Sequence, residues 1–278
     1  MAHQEGEPRE KPAVKRITIP HLLGKKPRGE KITMLTAYDY PTARLVDEAE
    51  VDIILVGDSL GTEELGYKTT LPVTMEEMLH HVKAVRRGAK RALLLADMPF
   101  LSYQVNTDEA VRNAGRLLQE GGANAVKLEG GVAMAPTVHR LAEVGIPVMG
   151  HIGLTPQYVN AIGLSVQGRS GEEAERLKAD AQALQQAGAF AVLMELVPRL
   201  LAGEISQSLT IPTVGIGSGP ECDGQVLVTS DLIGLRLGGR SHHHAKRYAD
   251  VAPIIRDALV AFRNEVETAV FPTEEHSF

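Results

Sequence analysis

Disulfides, membrane spans and a secretion signal are all missing from this sequence. A single cysteine, Cys222, among 278 residues cannot form an internal disulfide. Asp, Glu or Gly interrupts every apolar run well before the ~18 residues that a membrane-spanning helix needs. The first residues are polar and charged, with no apolar signal segment. These absences predict a soluble, cytoplasmic protein with no membrane partner.

An excess of basic residues is missing as well. The formal net charge at pH 7 is −6, and the sequence pI is about 5.9. Because a nucleic-acid backbone is bound by clustered Lys and Arg, this balance argues against a nucleic-acid partner. It predicts instead that the partners are small molecules or further copies of the same chain.

What the sequence has is a large apolar fraction, 44%, in an alternating pattern of β-like and helix-like segments. The strand candidates are residues 32–37, 51–57, 92–96, 125–128, 146–150, 191–195, 213–217 and, more weakly, 225–229. Eight strands separated by helices are typical of a single α/β domain, a (β/α)8 or TIM barrel, here residues 17–278. A doubly wound open sheet gives a similar periodicity, but polar residues at nearly every strand end favour the barrel.

The N-terminal region predicts a tail followed by a capping helix. Residues 1–16 are rich in Glu, Lys, Pro and Arg, a composition typical of a disordered or weakly ordered segment. Thr18 is placed to cap a short helix that runs through His21 and Leu23 and ends at Gly24. Such a helix would close the bottom of the barrel.

Helix signals occupy the gaps between the strand candidates. Thr74 and Glu77 have the spacing of a capping box, and the helix after them is predicted to end at Gly88. A second helix is predicted to begin at Thr107 and a third to span residues 172–187. These helices supply the αβ units that a parallel sheet requires.

Carboxylates stand at the ends of four apolar runs: Asp58, Asp97, Glu129 and Glu195. The carboxyl ends of barrel strands form the active-site face, so these acids are expected to converge. Oxygen ligands are those that Mg²⁺ prefers, and Asp58, Asp97 and Glu129 therefore predict a magnesium site. One such acid alone is as readily a helix cap or a loop ion pair, but three together favour the metal.

Two basic residues share the predicted face. Lys127 lies two residues before Glu129, so both side chains point the same way along a strand. A cation deep in a barrel needs an anion, which a substrate carboxylate or one of the acids would supply; nearby acids keep the amine protonated, which argues against a Schiff base. His151 follows another apolar run and is predicted to donate to a substrate oxygen, the alternative being a structural histidine.

Glu195 has the most apolar setting of the four acids, since it follows residues 191–194, Ala-Val-Leu-Met. Apolar surroundings raise the pKa of a carboxyl group, which suits a residue that accepts and returns a proton near neutral pH. Glu195 is thus the predicted catalytic acid–base group. The alternative is a buried acid paired with a nearby arginine such as Arg199.

Three other patterns carry less chemistry. The glycines of residues 215–219 lack the third spaced glycine and following helix of a dinucleotide-binding loop, so they predict close approach of the backbone to a ligand. His242, His243 and His244 are consecutive and cannot all face one ion, which predicts a polar surface rather than a metal tract. Cys222 has no neighbours that would activate it as a nucleophile.

With these residues in place, the chain resembles the ketopantoate hydroxymethyltransferase family from about residue 17 to residue 278. The matching segments are 36–39 (TAYD), 56–61 (VGDSLG), 70–74 (TLPVT), 96–100 (ADMPF), 126–131 (VKLEGG), 150–157 (GHIGLTPQ), 166–169 (VQGR), 215–219 (GIGSG) and 275–278 (EHSF). So many matches in order are highly specific. The sequence departs from the family mainly at 234–244. Members commonly show Pro-Lys-Phe or Ala-Lys-Phe before the segment that appears here as 246–250, whereas this chain has SHHHA at 241–245; the difference bears on loop shape or folate contacts.

The resemblance implies a site, a reaction and an assembly. It implies Mg²⁺ ligands at Asp58, Asp97 and Glu129; ketoacid contacts at Asp58, Ser59, Asp97 and Lys127; the catalytic base at Glu195; and a polar substrate-side group at His151. The implied reaction transfers a hydroxymethyl group from 5,10-methylenetetrahydrofolate to 3-methyl-2-oxobutanoate through a Mg²⁺-stabilised enolate, giving 2-dehydropantoate for pantothenate biosynthesis. The implied assembly is a homodecamer, a pentamer of dimers.

Two other functions remain open on the sequence. A Mg²⁺-dependent carbon–carbon lyase or mutase of the phosphoenolpyruvate mutase and isocitrate lyase superfamily would also use acids at a barrel mouth, but the chain lacks the lysine-cysteine-glycine-histidine segment that its members share. In a non-catalytic ligand-binding barrel, the acids would have only a structural role.

Overall fold

The computed structural model describes residues 15–235 and 243–278, which form a closed barrel of eight parallel strands in sequence order, confirming the predicted fold class. The strands are β1 Ile32–Thr36, β2 Ile53–Val56, β3 Leu93–Asp97, β4 Ala125–Glu129, β5 Val148–Gly153, β6 Ala191–Glu195, β7 Thr213–Ile216 and β8 Gly224–Leu227. The barrel closes because β8 pairs with β1. Most of the predicted tail lies outside the described residues, so its disorder stays a prediction.

Helices follow the strands and cover most of the barrel. They are α1 Ile19–Lys25, α2 Tyr40–Glu48, α3 Leu60–Glu63, α4 Met75–Gly88, α5 Thr107–Gln119, α6 Ala135–Glu143, α7 Val159–Ile162, α8 Gly171–Gln186, α9 Arg199–Ser208, α10 Thr229–Ile233 and α11 Val251–Glu267. In the described part of the chain, none of them is long and apolar enough to cross a bilayer.

Side chains alternate along each strand between the inside of the barrel and the outer helices. This alternation separates two apolar cores and also directs the site residues to the inside. In β3, Leu93 and Leu95 pack inside the barrel, whereas Leu94 and Ala96 pack against the outer helices. Because side chains two residues apart share a face, Asp97 points inward like Leu93 and Leu95, and it lies nearer the mouth of the barrel. The same parity holds in β4, β5 and β6. The barrel interior is therefore apolar below and charged at its mouth.

Helix ends confirm the predicted signals and add others. Thr74 and Glu77 form a complete capping box at α4, which ends at Gly88 as predicted. A second capping box, Ser170 with Glu173, starts α8, and the side chain of Asn106 caps α5. Each such cap stabilises its helix by about 1 kcal/mol, so the local sequence fixes where these helices begin.

The N-terminal helix closes the barrel bottom, but its predicted end was wrong. Helix α1 passes through Gly24 to Lys25 and continues as a 3-10 turn until Gly29 adopts a left-handed conformation, φ 67°. A glycine inside a helix costs only about 1 kcal/mol, so Gly24 did not terminate it. Leu22 is buried in the barrel-interior core, and this contact makes α1 a plug.

Among residues 15–235 and 243–278, no helix covers one side of the barrel. The outward residues Thr33 of β1 and Gln225 of β8 are exposed, whereas β2, β3 and β4 are buried along their whole length. Helix α11 buries none of its 17 residues within the described chain. Its exposed large apolar side chains are Ile254, Ile255, Leu259, Val260, Phe262 and Val266. The described chain thus exposes both the apolar face of α11 and the outer side of β1 and β8.

Candidate active site

A cavity of about 540 Å³ opens at the carboxyl ends of the strands. All seven residues predicted for the site line it: Asp58, Ser59, Asp97, Lys127, Glu129, His151 and Glu195. Strands β3 to β6 supply five of these side chains directly, through the inward parity of their last residues. The structure therefore brings the predicted set together at one end of the barrel.

Asp58 and Asp97 are in direct contact across the ends of β2 and β3. The Asp58 backbone N–H donates to Asp97 Oδ2 at 3.0 Å, and both residues are buried. A Cβ atom on Gly57 would lie 2.8 Å from Ser59 Oγ and 3.4 Å from Asp97 Oδ2. Glycine at position 57 therefore leaves the space in which the two acids approach.

Lys127 is the one buried ammonium among these acids in the described part of the chain. Its Nζ lies 3.0 Å from Asp97 Oδ1 and 3.2 Å from His151 Nδ1. Burial alone would lower the pKa of Lys127, but Asp97, Asp58 and Glu129 together raise it to about 12. The lysine is thus held charged, as the sequence predicted for an amine beside carboxylates.

Negative charge exceeds positive charge at the cavity. Burial, followed by repulsion from Asp97 and Glu129, raises the pKa of Asp58 to about 8, although Lys127 and the amide of Gln157 act in the opposite direction. Ordinary aspartate has a pKa near ~3.9. A carboxyl group perturbed by burial and by neighbouring acids in this way is typical of a functional site.

His151 joins two of the acids. Its Nδ1 lies 3.6 Å from Glu129 Oε1, and its Nε2 lies 3.3 Å from Glu195 Oε2. Burial and the charge of Lys127 lower the pKa of His151, but the two carboxylates outweigh them and the net shift is upward. Arg199, the alternative partner considered for Glu195, pairs with Glu221 instead.

Several residues of the site were not found from the sequence. Gln157 was part of a matching segment, yet no role was derived for it; its amide Nε2 donates to Asp58 Oδ2 at 2.9 Å. Tyr103 reaches the same cluster from the loop after β3, and Tyr38 shares a 2.8 Å hydrogen bond with Ser59. These residues lie in loops, where no periodic signal marks the direction of a side chain.

The glycines of residues 215–219 accommodate protein neighbours. A Cβ on Gly215 would lie 2.9 Å from Cys222 Sγ, and one on Gly217 would lie 2.6 Å from Leu196 and 3.2 Å from His244. Gly217 also has a left-handed conformation, φ 63°. Their predicted approach to a ligand stays a prediction, because tight packing against these side chains already accounts for the two glycines.

The histidine run was predicted to form a polar surface, and its two described members, His243 and His244, differ in exposure. His242 lies outside the described residues, and His243 is exposed at the cavity mouth. His244 is half-buried against Gly217 and lines the cavity. His244 therefore lies beside the end of β7, a position that no helical or strand periodicity in the run could indicate.

The acids fit a hard divalent cation in charge and donor type. Asp58, Asp97 and Glu129 offer oxygen ligands in a cavity with excess negative charge. Asp97 Oδ1 is buried and, within the described residues, has no hydrogen bond of regular geometry despite its contact with Lys127. No three His, Cys, Asp or Glu side chains in residues 15–235 and 243–278 already surround one metal position, so ligation requires side-chain adjustment.

Solved structures support the fold. A phosphonopyruvate hydrolase, solved with oxalate and Mg²⁺, superimposes with a TM-score of 0.58 at 14% identity, covering 93% of this chain and 92% of that one. A 2,3-dimethylmalate lyase gives a TM-score of 0.57 at 13% identity, covering 94% and 91%. At such low identity the likeness supports the barrel fold and nothing finer.

Sequence relatives are much closer. The 3-methyl-2-oxobutanoate hydroxymethyltransferase of Trichlorobacter lovleyi is 57% identical over 265 residues, which cover 95% of this chain and 99% of that protein. The enzyme of the same name from Moorella thermoacetica is 56% identical over 264 residues, covering 95% and 98%. A family model described as ketopantoate hydroxymethyltransferase matches residues 16–274. The chain therefore belongs to the ketopantoate hydroxymethyltransferase family.

Proposed function

We propose that this protein transfers a hydroxymethyl group to 3-methyl-2-oxobutanoate, in the biosynthesis of pantothenate. The donor is 5,10-methylenetetrahydrofolate; the ketoacid, the donor and one water give 2-dehydropantoate and tetrahydrofolate. One observation carries the proposal beyond family membership: buried acids, a charged lysine and a half-accessible glutamate meet at one cavity. That set can bind a small ketoacid and move a proton.

The proposal includes a Mg²⁺ ion at Asp58, Asp97 and Glu129. When bound, the ion would act as a Lewis acid toward the ketoacid oxygens and so favour loss of the C3 proton to give the enolate. The convergence of three buried carboxyl groups on one cavity, with Asp58 and Asp97 in direct contact, supports this assignment. The metal ligands and the catalytic roles are parts of the proposal.

The chain's own residues bind and orient the ketoacid. The Lys127 ammonium pairs with the substrate carboxylate, since it is buried, charged and lines the cavity. Tyr38 Oη lies 2.8 Å from Ser59 Oγ and holds the serine hydroxyl in place. From this position Ser59 donates a hydrogen bond to a substrate oxygen. Asp58 and Asp97 flank the same position and complete the binding of the ketoacid.

Glu195 is the proposed proton carrier of the reaction. Its side chain is 19% exposed and lies 3.3 Å from His151, which is itself buried. The histidine thus fixes the carboxylate while one face of it stays open to the cavity. His151 also presents a polar edge to the substrate. A carboxylate oriented in this way can accept a proton and return it to a later species.

The cavity has room for both substrates. Pockets of 300–1,000 Å³ are usual for drug-sized ligands, and 540 Å³ exceeds what a five-carbon ketoacid fills. Away from the acids, the lining includes Lys68, Leu164, Leu196, His243 and His244. We assign this outer part to the folate co-substrate; its lining residues His243 and His244 belong to the segment in which the chain departs from the family.

Product formation and proton exchange test the proposal. Purified protein should form 2-dehydropantoate from 3-methyl-2-oxobutanoate and 5,10-methylenetetrahydrofolate, and a chelator should abolish this activity until Mg²⁺ is restored. With Mg²⁺ and ketoacid in D₂O without folate, NMR should show exchange of the C3 proton. Unchanged exchange in Glu195→Gln would remove Glu195 from that step.

The two rival functions give different results in the same experiments. A lyase or mutase would cleave or rearrange a substrate without folate, and a non-catalytic barrel would bind Mg²⁺ and ketoacid without turnover. The family match favours the transferase over the lyase, because relatives named hydroxymethyltransferase are 56–57% identical whereas the structurally similar lyase is 13% identical.

Self-association is part of the proposal as well, with the homodecamer that the resemblance implies as the expected assembly. The exposed apolar face of α11 and the uncovered outer side of β8 and β1 support contact between copies. Light scattering should give a mass of about ten times 30.0 kDa. Leu259→Glu, a charge on the α11 face, should lower that mass, and a monomeric wild-type protein would contradict the assembly. A cytoplasmic location stays a prediction.

A further inference from the structure

Gln157 connects three parts of the site that are distant in sequence. It lies in a 3-10 turn, Pro156–Tyr158, that follows β5. Its side chain reaches Asp58 after β2, and its backbone N–H donates to Glu129 Oε2 of β4 at 3.0 Å. A single residue therefore holds two of the three proposed metal ligands, one through its side chain and one through its backbone.

Every hydrogen-bonding position of the Gln157 amide is used. Nε2 donates to Asp58 Oδ2 and to the Met98 carbonyl oxygen, each at 2.9 Å. Oε1 accepts from Tyr103 Oη at 2.8 Å and from Gln104 Nε2 at 3.0 Å. An amide offers two donors and two acceptor lone pairs, so a reversed amide would face the Asp58 and Met98 oxygens with its own oxygen. The four partners fix its orientation.

The turn that carries Gln157 is itself tightly placed. Gly153, at the end of β5, has a left-handed φ of 92°, and a Cβ there would lie 2.2 Å from the Glu195 carbonyl oxygen. The next residue, Leu154, donates its N–H to that oxygen at 2.8 Å. The path of the backbone from β5 to Gln157 is thus constrained, and Gln157 is 5% exposed.

We propose that Gln157 is a positioning residue that orients Asp58 and Glu129 and so sets the affinity of the site for a divalent cation. The amide binds Asp58 Oδ2, so Oδ1 is the oxygen that we assign to the cation. Tyr103 acts one step further out, because its hydroxyl orients the Gln157 amide and also accepts the Glu129 N–H at 3.0 Å. This inference rests on the proposed function, since it takes Asp58 and Glu129 as cation ligands.

Direct Mg²⁺ binding tests the proposal. Gln157→Met keeps the length of the side chain but loses the amide, and calorimetry should show Mg²⁺ binding about 10–100-fold weaker, the usual effect of losing a group that orients a metal ligand. Tyr103→Phe should weaken Mg²⁺ binding in the same direction by about two- to tenfold. Tyr67→Phe is the matched control, because it removes a hydroxyl that bonds Glu77 at 2.6 Å outside the cluster; its Mg²⁺ affinity should equal that of the wild type.

The outcomes separate this inference from the proposed function. Circular dichroism first establishes that each variant is folded. If Gln157→Met does not fold, Tyr103→Phe decides the question. The deciding variant is thus Gln157→Met if it folds and Tyr103→Phe if it does not. If the deciding variant binds Mg²⁺ within about twofold of the wild type, the positioning role is overturned, given the 10–100-fold effects usual for such residues. A wild-type protein that binds no Mg²⁺ would instead overturn the metal assignment itself.

Discussion

The two ends of the barrel use the same residue types with opposite results. At the bottom, Lys25 lies 2.6 Å from Asp52, and Lys26 lies 2.7 Å from Asp223. At the mouth, Asp58, Asp97 and Glu129 share Lys127. Each bottom acid therefore has its own cation, whereas the mouth carries an excess of acids. Balanced charge at the bottom is typical of a stabilising end of the barrel, and the unbalanced charge at the mouth is what the proposed cation would compensate.

The bottom pairs are also two copies of one local arrangement. Asp52 immediately precedes β2, and its Oδ2 accepts from the N–H and hydroxyl of Thr33 in β1, each at 3.0 Å. Asp223 precedes β8, and its Oδ2 accepts from the N–H and hydroxyl of Thr213 in β7 at 2.8 and 3.0 Å. In both acids one oxygen, Oδ2, thus takes the lysine contact and both threonine hydrogen bonds.

The largest effect is expected from removing a charge at the mouth. Asp58→Asn should lower the rate of 2-dehydropantoate formation at least ~100-fold, because it replaces a proposed metal ligand. Since it also relieves repulsion among buried carboxylates, the metal-free variant should melt at the same temperature as the wild type or higher. Calorimetry measures the melting temperature, and the product assay measures the rate. A variant that is active and less stable than the wild type would contradict the comparison between the two ends of the barrel.

At the bottom of the barrel a smaller effect is expected, and it lowers the stability of the protein while leaving its activity unchanged. Asp52→Asn should lower the free energy of unfolding by about 2–4 kcal/mol, because it breaks a partly buried ion pair. The activity of the folded protein should not change. Glu30→Gln is the control, since Glu30 pairs with Arg28 at the same end but about half exposed; its unfolding free energy should match that of the wild type.

Acid pH should remove the Asp52 effect. Burial alone would raise the pKa of Asp52, but Lys25 and Thr33 lower it to below its usual value. A lowered pKa stabilises the fold above the unfolded value of ~3.9, and this stabilisation is lost as pH falls through the folded value. Urea titrations should thus show the difference between wild type and Asp52→Asn at pH 7 and its decline below about pH 4. A difference that grows on acidification would contradict the assignment.

The smallest effect is expected at Cys222, which is buried just before Asp223. Burial, with the nearby Asp223 charge, raises the pKa of its thiol to about 11. At pH 8 a thiol reagent should therefore react with the native protein far more slowly than with the urea-unfolded chain. Rapid modification accompanied by loss of activity would contradict the view that Cys222 has no catalytic role.

Local sequence was sufficient wherever side chains follow a strand. The inward row of Ala125, Lys127 and Glu129 follows from a period of two, so the shared face of the last two was predicted before any fold was known. The capping box at Thr74 likewise depends on residues three apart. Such short-range rules do not reach Gln157, whose partners Asp58 and Tyr103 are separated from it by 99 and 54 residues.

The end of α1 and the fold of the histidine run show the same limit. Gly24 has the residue type of a helix terminator, but its neighbours continue the helix because Leu22 and the pairs of Lys25 and Lys26 anchor it beneath the strands. His244 is half-buried because Gly217 leaves it space. At Gly24, contacts made by closing the barrel outweighed a local preference of about 1 kcal/mol, and at His244 a contact with a distant residue set the exposure of the side chain.

The sequence by itself determined the strand count, the apolar and charged faces of the strands, and the order in which acids reach the barrel mouth. These depend on periodicity, which each segment carries within a few residues. Only the tertiary structure decided which cation each acid meets, which amide orients Asp58, and where helix α11 lies. Those choices depend on distances between residues far apart in the chain, and closing the sheet sets such distances.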